Sequence, residues 1–443
     1  MSNKAQAKSM KQDGKRELKP KLRFPEFRDE WIEKPLKEFA TIITEKAGEK
    51  KCTLLSVTSG VGLISQMEKF GRNIAGDQYK NYLILRKNDF AYNKSATKAY
   101  PQGFIAKYSG DELAAVPNSI FTCFSVQADR VNPEFLNYQF LGNIHGKWVK
   151  KYIEVSARAH GSLSINDDDL LALPIPIPRG KSSLAEQQKI AECLTSLDEL
   201  IGAHGQKLDA LKVHKKGLME QLFPRAGETL PRLRFPKFQD APEWENLPIG
   251  DKVDLFSGYP FDGAEISENR SGKKLLRGIN ITEGVIRHSP SIDRYYSGVE
   301  EGLEKYEVRT NDLVIGMDGS KVGKNSALIT VVDSGALLVQ RVARLRADNP
   351  TLINFIFQQI NSPIFHSYVD RINTSSGIPH ISAKQIKDFC ICFPSELEQK
   401  KVVGCLTFLD GLIAAQTEKL AVLKAQKQGL MQQLFSSAQE VET

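Results

Sequence analysis

The sequence predicts an α+β fold: two globular domains with antiparallel-rich sheets, separated by two long helices that form an antiparallel coiled coil in a pseudo-two-fold tandem repeat. Three observations carry this prediction. Residues 183–223 and 395–435 align without a gap, with 23 of 41 positions identical. Each copy follows a longer stretch that opens with PKLRFPEF from Pro20 or PRLRFPKF from Pro231. Inside those stretches, β-branched runs such as FIAKY from Phe104, SIFTCFSV from Ser119, SALITVV from Ser326 and GALLVQRVARL from Gly335 read as strands between loops. The repeat divides the chain into a disordered basic tail over 1–19, a globular domain over 20–178, a helix over 179–223, a second domain over 224–394, a second helix over 395–435 and a short tail over 436–443.

The tail carries Lys4, Lys8, Lys11, Lys15 and Lys19 without the apolar core of a signal peptide, and no apolar run is long enough to span a bilayer, so a cytoplasmic location is expected. A net charge of +7 and pI near 8.9 are compatible with nucleic-acid binding. Cys52, Cys123, Cys193, Cys390, Cys392 and Cys405 form no C-x-x-C pair and read as reduced, buried packing residues.

The first domain ends in LPIPIP from Leu173 and the second in FCICFP from Phe389, both read as final strands because proline ends sheet pairing. NPEFLNYQF from Asn132 and NPTLINFIF from Asn349 are matched helical patches, with Phe135, Leu136 and Phe140 on one side of the first. RKNDF from Arg86 answers RTNDL from Arg309, and Leu54 and Leu55 answer Leu275 and Leu276. Each long helix is expected to open on a capping box, Ser183 with Glu186 and Ser395 with Glu398. Ile190, Leu194, Leu197, Ile201, Leu208, Leu211, Leu218 and Leu222 alternate by threes and fours, as do Val402, Leu406, Leu409, Ile413, Leu420, Leu423, Leu430 and Leu434. His204 with Lys215, and Gln416 with Lys427, fill the vacant seam positions, where polar groups fix register and partner. A helix of this length is about 60 Å long. The short segment from Pro224 to Pro231 starts the second domain where the first helix stops, so a domain that begins and ends in one place sends the second helix back along the first.

Between matched scaffold pieces the loops diverge. AYNKSATKAYPQG from Ala91 faces GMDGSKVGKNS from Gly316, and SARAHGSLS from Ser156 faces NTSSGIPHIS from Asn373. Lys94, Lys98, Arg158, His160 and Ser162 in the first half, and Arg277, Lys321, Lys324, Asn325, Arg371, Ser375 and His380 in the second, are the candidate DNA contacts. Lysine and arginine neutralise phosphates, while Asn, Arg, Ser and His reach base edges. Tyr92, Tyr100 and Tyr259 are placed either to stack on bases or to close the core rim.

No residue pattern supports catalysis or a metal site. DGSKVGKNS from Asp318 has its glycines one residue too close for a phosphate loop, and Asn325 stands where Ser or Thr must follow the lysine. The run Asp167, Asp168, Asp169 has Ala383, Lys384, Gln385 as its counterpart, and reads as an acidic helix start.

The order RFPEF or RFPKF, variable domain, proline-rich strand, EQQKI or EQKKV, seam helix and GLMEQLF or GLMQQLF resembles the DNA specificity subunit of type I restriction-modification systems, over residues 20–435. The resemblance implies two target recognition domains, each reading one half of a bipartite, asymmetric double-stranded DNA site, and spacer helices that set the gap and dock two methyltransferase subunits. It implies a non-catalytic chain that binds no cofactor. S-adenosylmethionine, ATP and Mg2+ are implied for its partners, the methyltransferase subunits and the restriction and translocase subunits. Two rival readings remain at this point: a coiled-coil scaffold with twin protein-binding domains and no DNA role, and an enzyme active on its own.

Overall fold

The structure is a computed structural model and describes residues 18–58, 60–72, 74, 76–152, 154–155, 163–373 and 379–435. The chain forms two compact units, residues 1–204 with 419–443, and residues 205–418, so each unit takes part of both long helices. Among the described residues no helix is long and apolar enough to cross a membrane.

The first unit holds strands β1 (Trp31–Pro35), β2 (Ala40–Ile42), β3 (Thr53–Thr58), β4 (Gly62–Ser65), β5 (Leu83–Leu85), β6 (Phe90–Asn93), β7 (Phe104–Lys107), β8 (Ala114–Val116), β9 (Phe121–Val126), β10 (Glu154–Val155), β11 (Leu163–Ser164) and β12 (Pro174–Pro178). Helices α1 (Gln66–Phe70), α2 (Pro133–Leu141), α3 (Ile144–Tyr152) and α4 (Asp167–Leu171) are interspersed, and α5 (Ser183–Leu222) follows. Two four-stranded sheets run in the orders β2-β9-β6-β7 and β4-β3-β8-β5, and only β3 with β8 is parallel. β1 and β12, the first and last strands, pair antiparallel from Trp31 opposite Pro178 to Pro35 opposite Pro174. A two-stranded ribbon tolerates prolines that a central strand does not, since each strand has a free edge.

The second unit repeats this plan with β13 (Glu245–Pro248), β14 (Asp254–Ser257), β15 (Ile266–Ser267), β16 (Lys273–Leu276), β17 (Arg294–Tyr296), β18 (Leu313–Gly316), β19 (Ser326–Leu328), β20 (Leu337–Leu338), β21 (Val342–Arg346) and β22 (Cys390–Phe393). Its helices are α6 (Pro350–Ile360), α7 (Pro363–Ile372), α8 (Ala383–Asp388) and α9 (Glu396–Leu434). β13 and β22 close the unit as β1 and β12 close the first. The sheets run β14-β21-β18-β19 and β15-β17-β16-β20, and the parallel pair is β16 with β20. The α+β class and the antiparallel-rich sheets match the sequence reading. Two strand expectations need correction. SALITVV holds a strand only over Ser326–Leu328, because a turn closed by Thr330 and Asp333 leaves Val331 and Val332 exposed. GALLVQRVARL is two strands in two different sheets, broken at Gln340 and Arg341.

The matched turns RKNDF and RTNDL have one cause. Asn88 and Asn311 both take φ of 72°, which asparagine tolerates better than most residues, and the following Asp89 and Asp312 accept the backbone N–H of Arg86 and Arg309 at 2.6 Å. The acidic run over 167–169 is the first turn of α4, with Asn166 as its N-cap.

The long helices do not start on capping boxes. Glu186 is fully buried and takes a bidentate pair of hydrogen bonds from Arg23 Nε and Nη2, both 2.7 Å, with Trp31 Nε1 donating to it at 3.2 Å. In the second unit Glu398 takes Arg234 Nε and Nη2, both 2.8 Å. A guanidinium fork holds a carboxylate more strongly than a neutral amide does, so each glutamate turns inward. The Ser183 hydroxyl instead donates to Pro178 O at 2.6 Å. The arginines of the two RFP motifs are thereby explained, and so is the rest of each motif: Leu22 N donates to Gln433 O in the first unit, and Leu233 N to Gln221 O in the second. The QLF endings also have a role. Phe435 packs on Phe135, which meets Trp31, and Phe223 packs on Phe355, which meets Trp244.

The seam residues of both helices are buried or half-buried. In the first unit Leu434 shares a core with Ile190 and Leu194, and Lys427 Nζ reaches both Asp198 oxygens at 2.6 Å, so these two helix segments run in opposite senses. In the second unit Met219 and Leu222 share a core with Val402 and Leu406, and Lys215 Nζ meets Asp410 at 2.6 Å, again with opposed segments. The cysteines are all free; Cys123 is buried, but Cys390 is exposed at the start of β22, which corrects the uniform burial expected of them.

Removing the carboxylate of Glu186 strands the part-buried Arg23 guanidinium. Glu186→Ala is expected to destabilise the first unit by about 3–5 kcal/mol, read as an earlier urea unfolding transition, with the double variant R23A/E186A losing less than the sum of the single losses. Additive losses would contradict the coupling.

Candidate nucleic-acid interface

Within each unit one end of the β6 or β18 sheet gathers the divergent loops, and the backbone there is built twice to one pattern. In the first unit Lys94 follows β6; its N–H donates to Ile120 O at 2.9 Å and its carbonyl accepts from Leu163 N at 2.7 Å. In the second, Met317 follows β18; its N–H donates to Arg341 O at 2.9 Å and its carbonyl accepts from Ile381 N at 2.9 Å. Three separate segments are thus tied at one strand end in each unit. The side chains offered differ: Lys94, Ser95 and Ile120 in the first, and Asp318 and Arg341 in the second, where Met317 itself turns into the core.

Lys94 is half-buried at the strand end and Lys98 is exposed in the loop after it. Arg158, His160, Ser162 and Ser375 lie outside the described residues. In the second unit Asp318 Oδ1 accepts from His380 Nδ1 at 2.5 Å, and the His380 N–H donates to Asn373 Oδ1 at 2.7 Å. Lys321 pairs with Glu283 at 2.9 Å and Lys324 with Asp370 at 3.3 Å. Arg371 is exposed at the end of α7, and Asn325 accepts the Gly316 N–H on its backbone carbonyl. Arg277 stands apart at the end of β16. Its Nη2 donates to Ile292 O, burial lowers its pKa, and the Arg294 charge adds to the shift.

The glycine-spaced run from Asp318 is a turn that packs rather than a cradle. Gly323 takes φ of 69°, and a Cβ there would come within 2.7 Å of Val369 on α7. Of the tyrosines considered for stacking, Tyr92 is fully buried, with its hydroxyl donating to Gln102 O at 3.0 Å. Tyr259 sits against Phe261 and Tyr306. Among the described residues no group of three or more His, Cys, Asp or Glu side chains is placed to hold a metal.

Residues 28–213 match the family described as Type I restriction modification DNA specificity domain. Over those residues the chain is similar to that family. It is similar to the Type I restriction enzyme MjaVIII specificity subunit of Methanocaldococcus jannaschii, 26% identical over 301 residues, covering 66% of this chain and 68% of the relative. It is also similar to the putative type I restriction enzyme MjaX specificity subunit of the same organism, 23% identical over 344 residues, covering 77% of this chain and 76% of the relative. Among solved structures, the type I restriction-modification S subunit from M. genitalium shares the fold with a TM-score of 0.62 at 14% identity, covering 95% of this chain and all of that one.

Arg341, which lies beside Asp318 at this strand end, was not singled out from the sequence. Its signal was a polar pair, Gln340 and Arg341, interrupting an apolar run too long for one strand.

Beneath the Lys94 strand end, His145 of α3 is buried against the rings of Tyr92 and Phe140, and burial pushes its pKa down to about 4. The folded unit therefore holds it neutral while the unfolded chain, near the ordinary value of about 6.5, takes up a proton as pH falls. Stability is full above about pH 6.5 and is lost progressively from there down to about pH 4. The first unit is expected to be about 2 kcal/mol less stable at pH 5 than at pH 7.5, and His145→Gln to flatten that slope in denaturant titrations. An unchanged slope would contradict the assignment.

Proposed function

We propose that this chain is the sequence-reading subunit of a type I restriction-modification complex, that each globular domain reads one half of a bipartite, asymmetric DNA site, and that the chain directs methyltransferase and restriction subunits there. The observation that carries the reading is the twin strand end: one hydrogen-bonded frame presents Lys94 and Ile120 in the first unit and Asp318 and Arg341 in the second. A shared frame with unlike tips suits two related readers with different targets. The family match supports the DNA role over the scaffold alternative.

In this proposal the two long helices lie antiparallel along their length as a ruler, and the lysine–aspartate pairs Lys427–Asp198 and Lys215–Asp410 fix its register. Two methyltransferase subunits dock on the helices. Catalysis belongs to those partners, with S-adenosylmethionine, ATP and Mg2+ held by them and not by this chain, and the complex works in the cytoplasm.

The test is co-expression with the methyltransferase partner and mapping of methylated bases. Two short motifs separated by a fixed gap are expected; a single contiguous motif, or none, would overturn the proposal. Lengthening each long helix by one heptad adds about 10 Å and is expected to widen the gap by about three base pairs. Binding of the complex to DNA should also fall steeply with salt, as phosphate contacts release counterions, whereas a protein scaffold would show no such dependence.

A further inference from the structure

We propose that Arg341 reads a guanine in the half-site of the second domain, with Asp318 as its positioning residue; this rests on the DNA-reading function above. Four non-glycine residues among those described have positive φ, and three are asparagines, Asn88, Asn143 and Asn311. The fourth is Arg341, at φ of 74°. Left-handed backbone is unfavourable for a long side chain, a cost glycine would avoid, and such strain persists where the surroundings hold it and gathers at working sites. The surroundings do hold it. Arg341 sits in the three-residue connection between β20 and β21, and its carbonyl is tied to Met317 N.

The side chain is presented outward and steered. It is 58% exposed, and its Nε lies 3.4 Å from Asp318 Oδ2. That contact uses Nε and leaves the two terminal amino groups without a hydrogen-bond partner among the described residues. A guanidinium fork of this kind matches the O6 and N7 acceptors of guanine in the major groove. Asp318 is itself braced, since His380 Nδ1 bonds its other oxygen and the backbones of Asp318 and His380 form a bridge. The place of Arg341 in the first unit is taken by Ile120, which is exposed and cannot donate to a base. The two units are therefore unequal here: the second can select guanine from this position and the first cannot.

The experiment compares methylation maps for the wild-type complex and for complexes carrying Arg341→Gly, Arg341→Lys or Asp318→Asn. Glycine suits the backbone at this turn, so R341G removes the side chain while relaxing strain, and its thermal stability should equal or exceed that of the wild type. Expected is a wild-type bipartite motif in which R341G relaxes one G·C position of one half-site, with discrimination at that base falling about 5- to 150-fold and the other half-site unchanged. R341K keeps the charge and loses the fork, and should relax the same base; D318N should do so more weakly. If R341G fails to accumulate, R341K alone decides. A motif identical to the wild type in both half-sites overturns the inference, as does a uniform drop in methylation with the motif intact, which marks a phosphate contact. A wild-type map without a bipartite motif would instead sink the underlying function.

Discussion

A single carboxylate at the first turn of each long helix organises the unit around it. Glu186 is fully buried and joins three parts of the chain: its own helix, Arg23 of the RFP segment and Trp31 of the first strand. Glu398 is held by Arg234 without a tryptophan donor, and the remaining N–H groups of Arg234 donate to the Ala241 and Pro242 carbonyls. Burying a charge is costly unless it is paired and hydrogen-bonded on nearly all sides, and the bidentate fork meets that requirement. Its consequence is geometric. The strand that opens a unit, the strand that closes it and the helix that leaves it are fixed at one corner, so the sheets beyond are held firmly relative to the helix start. Breaking such a pair costs far more than deleting a surface ion pair such as Lys80–Glu49.

Away from that corner the constraint relaxes, and there the two units differ. The strand-end frame around Lys94 and Met317 uses backbone hydrogen bonds alone, which do not depend on side-chain identity. A frame closed by backbone lets the tip residues change without disturbing the fold. Lys94, Ser95 and Ile120 can stand where Met317, Asp318 and Arg341 stand in the twin. Buried corners preserve structure, and backbone-tied tips are free to vary.

Much of this was legible in the sequence because repetition exposed it. The gapless match of the two helices, the three-four alternation of their apolar residues and the paired RFP motifs gave the α+β tandem plan without a structure. The strand FIAKY, the helix starting at Asn132 and the acidic start of α4 were legible from local pattern, since each satisfies its own backbone within a few residues. What was not legible depended on distant partners. The capping boxes matched a local rule, yet Arg23 lies 163 residues from Glu186 and outcompetes the local amide. The length of GALLVQRVARL hid a turn, because its apolar residues serve two sheets. His380, named by residue type as a DNA-contact candidate, braces Asp318, and Arg341 was not singled out because Gln340 and Arg341 were read as part of one strand.

The most direct test of the central claim, that two independent readers share one scaffold, is a methylation map of a chimera in which residues 224–394 are replaced by the corresponding domain of a relative with a different target. The account predicts that one half-site changes completely while the other half-site and the gap stay as they were. Change in both half-sites, or a shift of the gap, would contradict it.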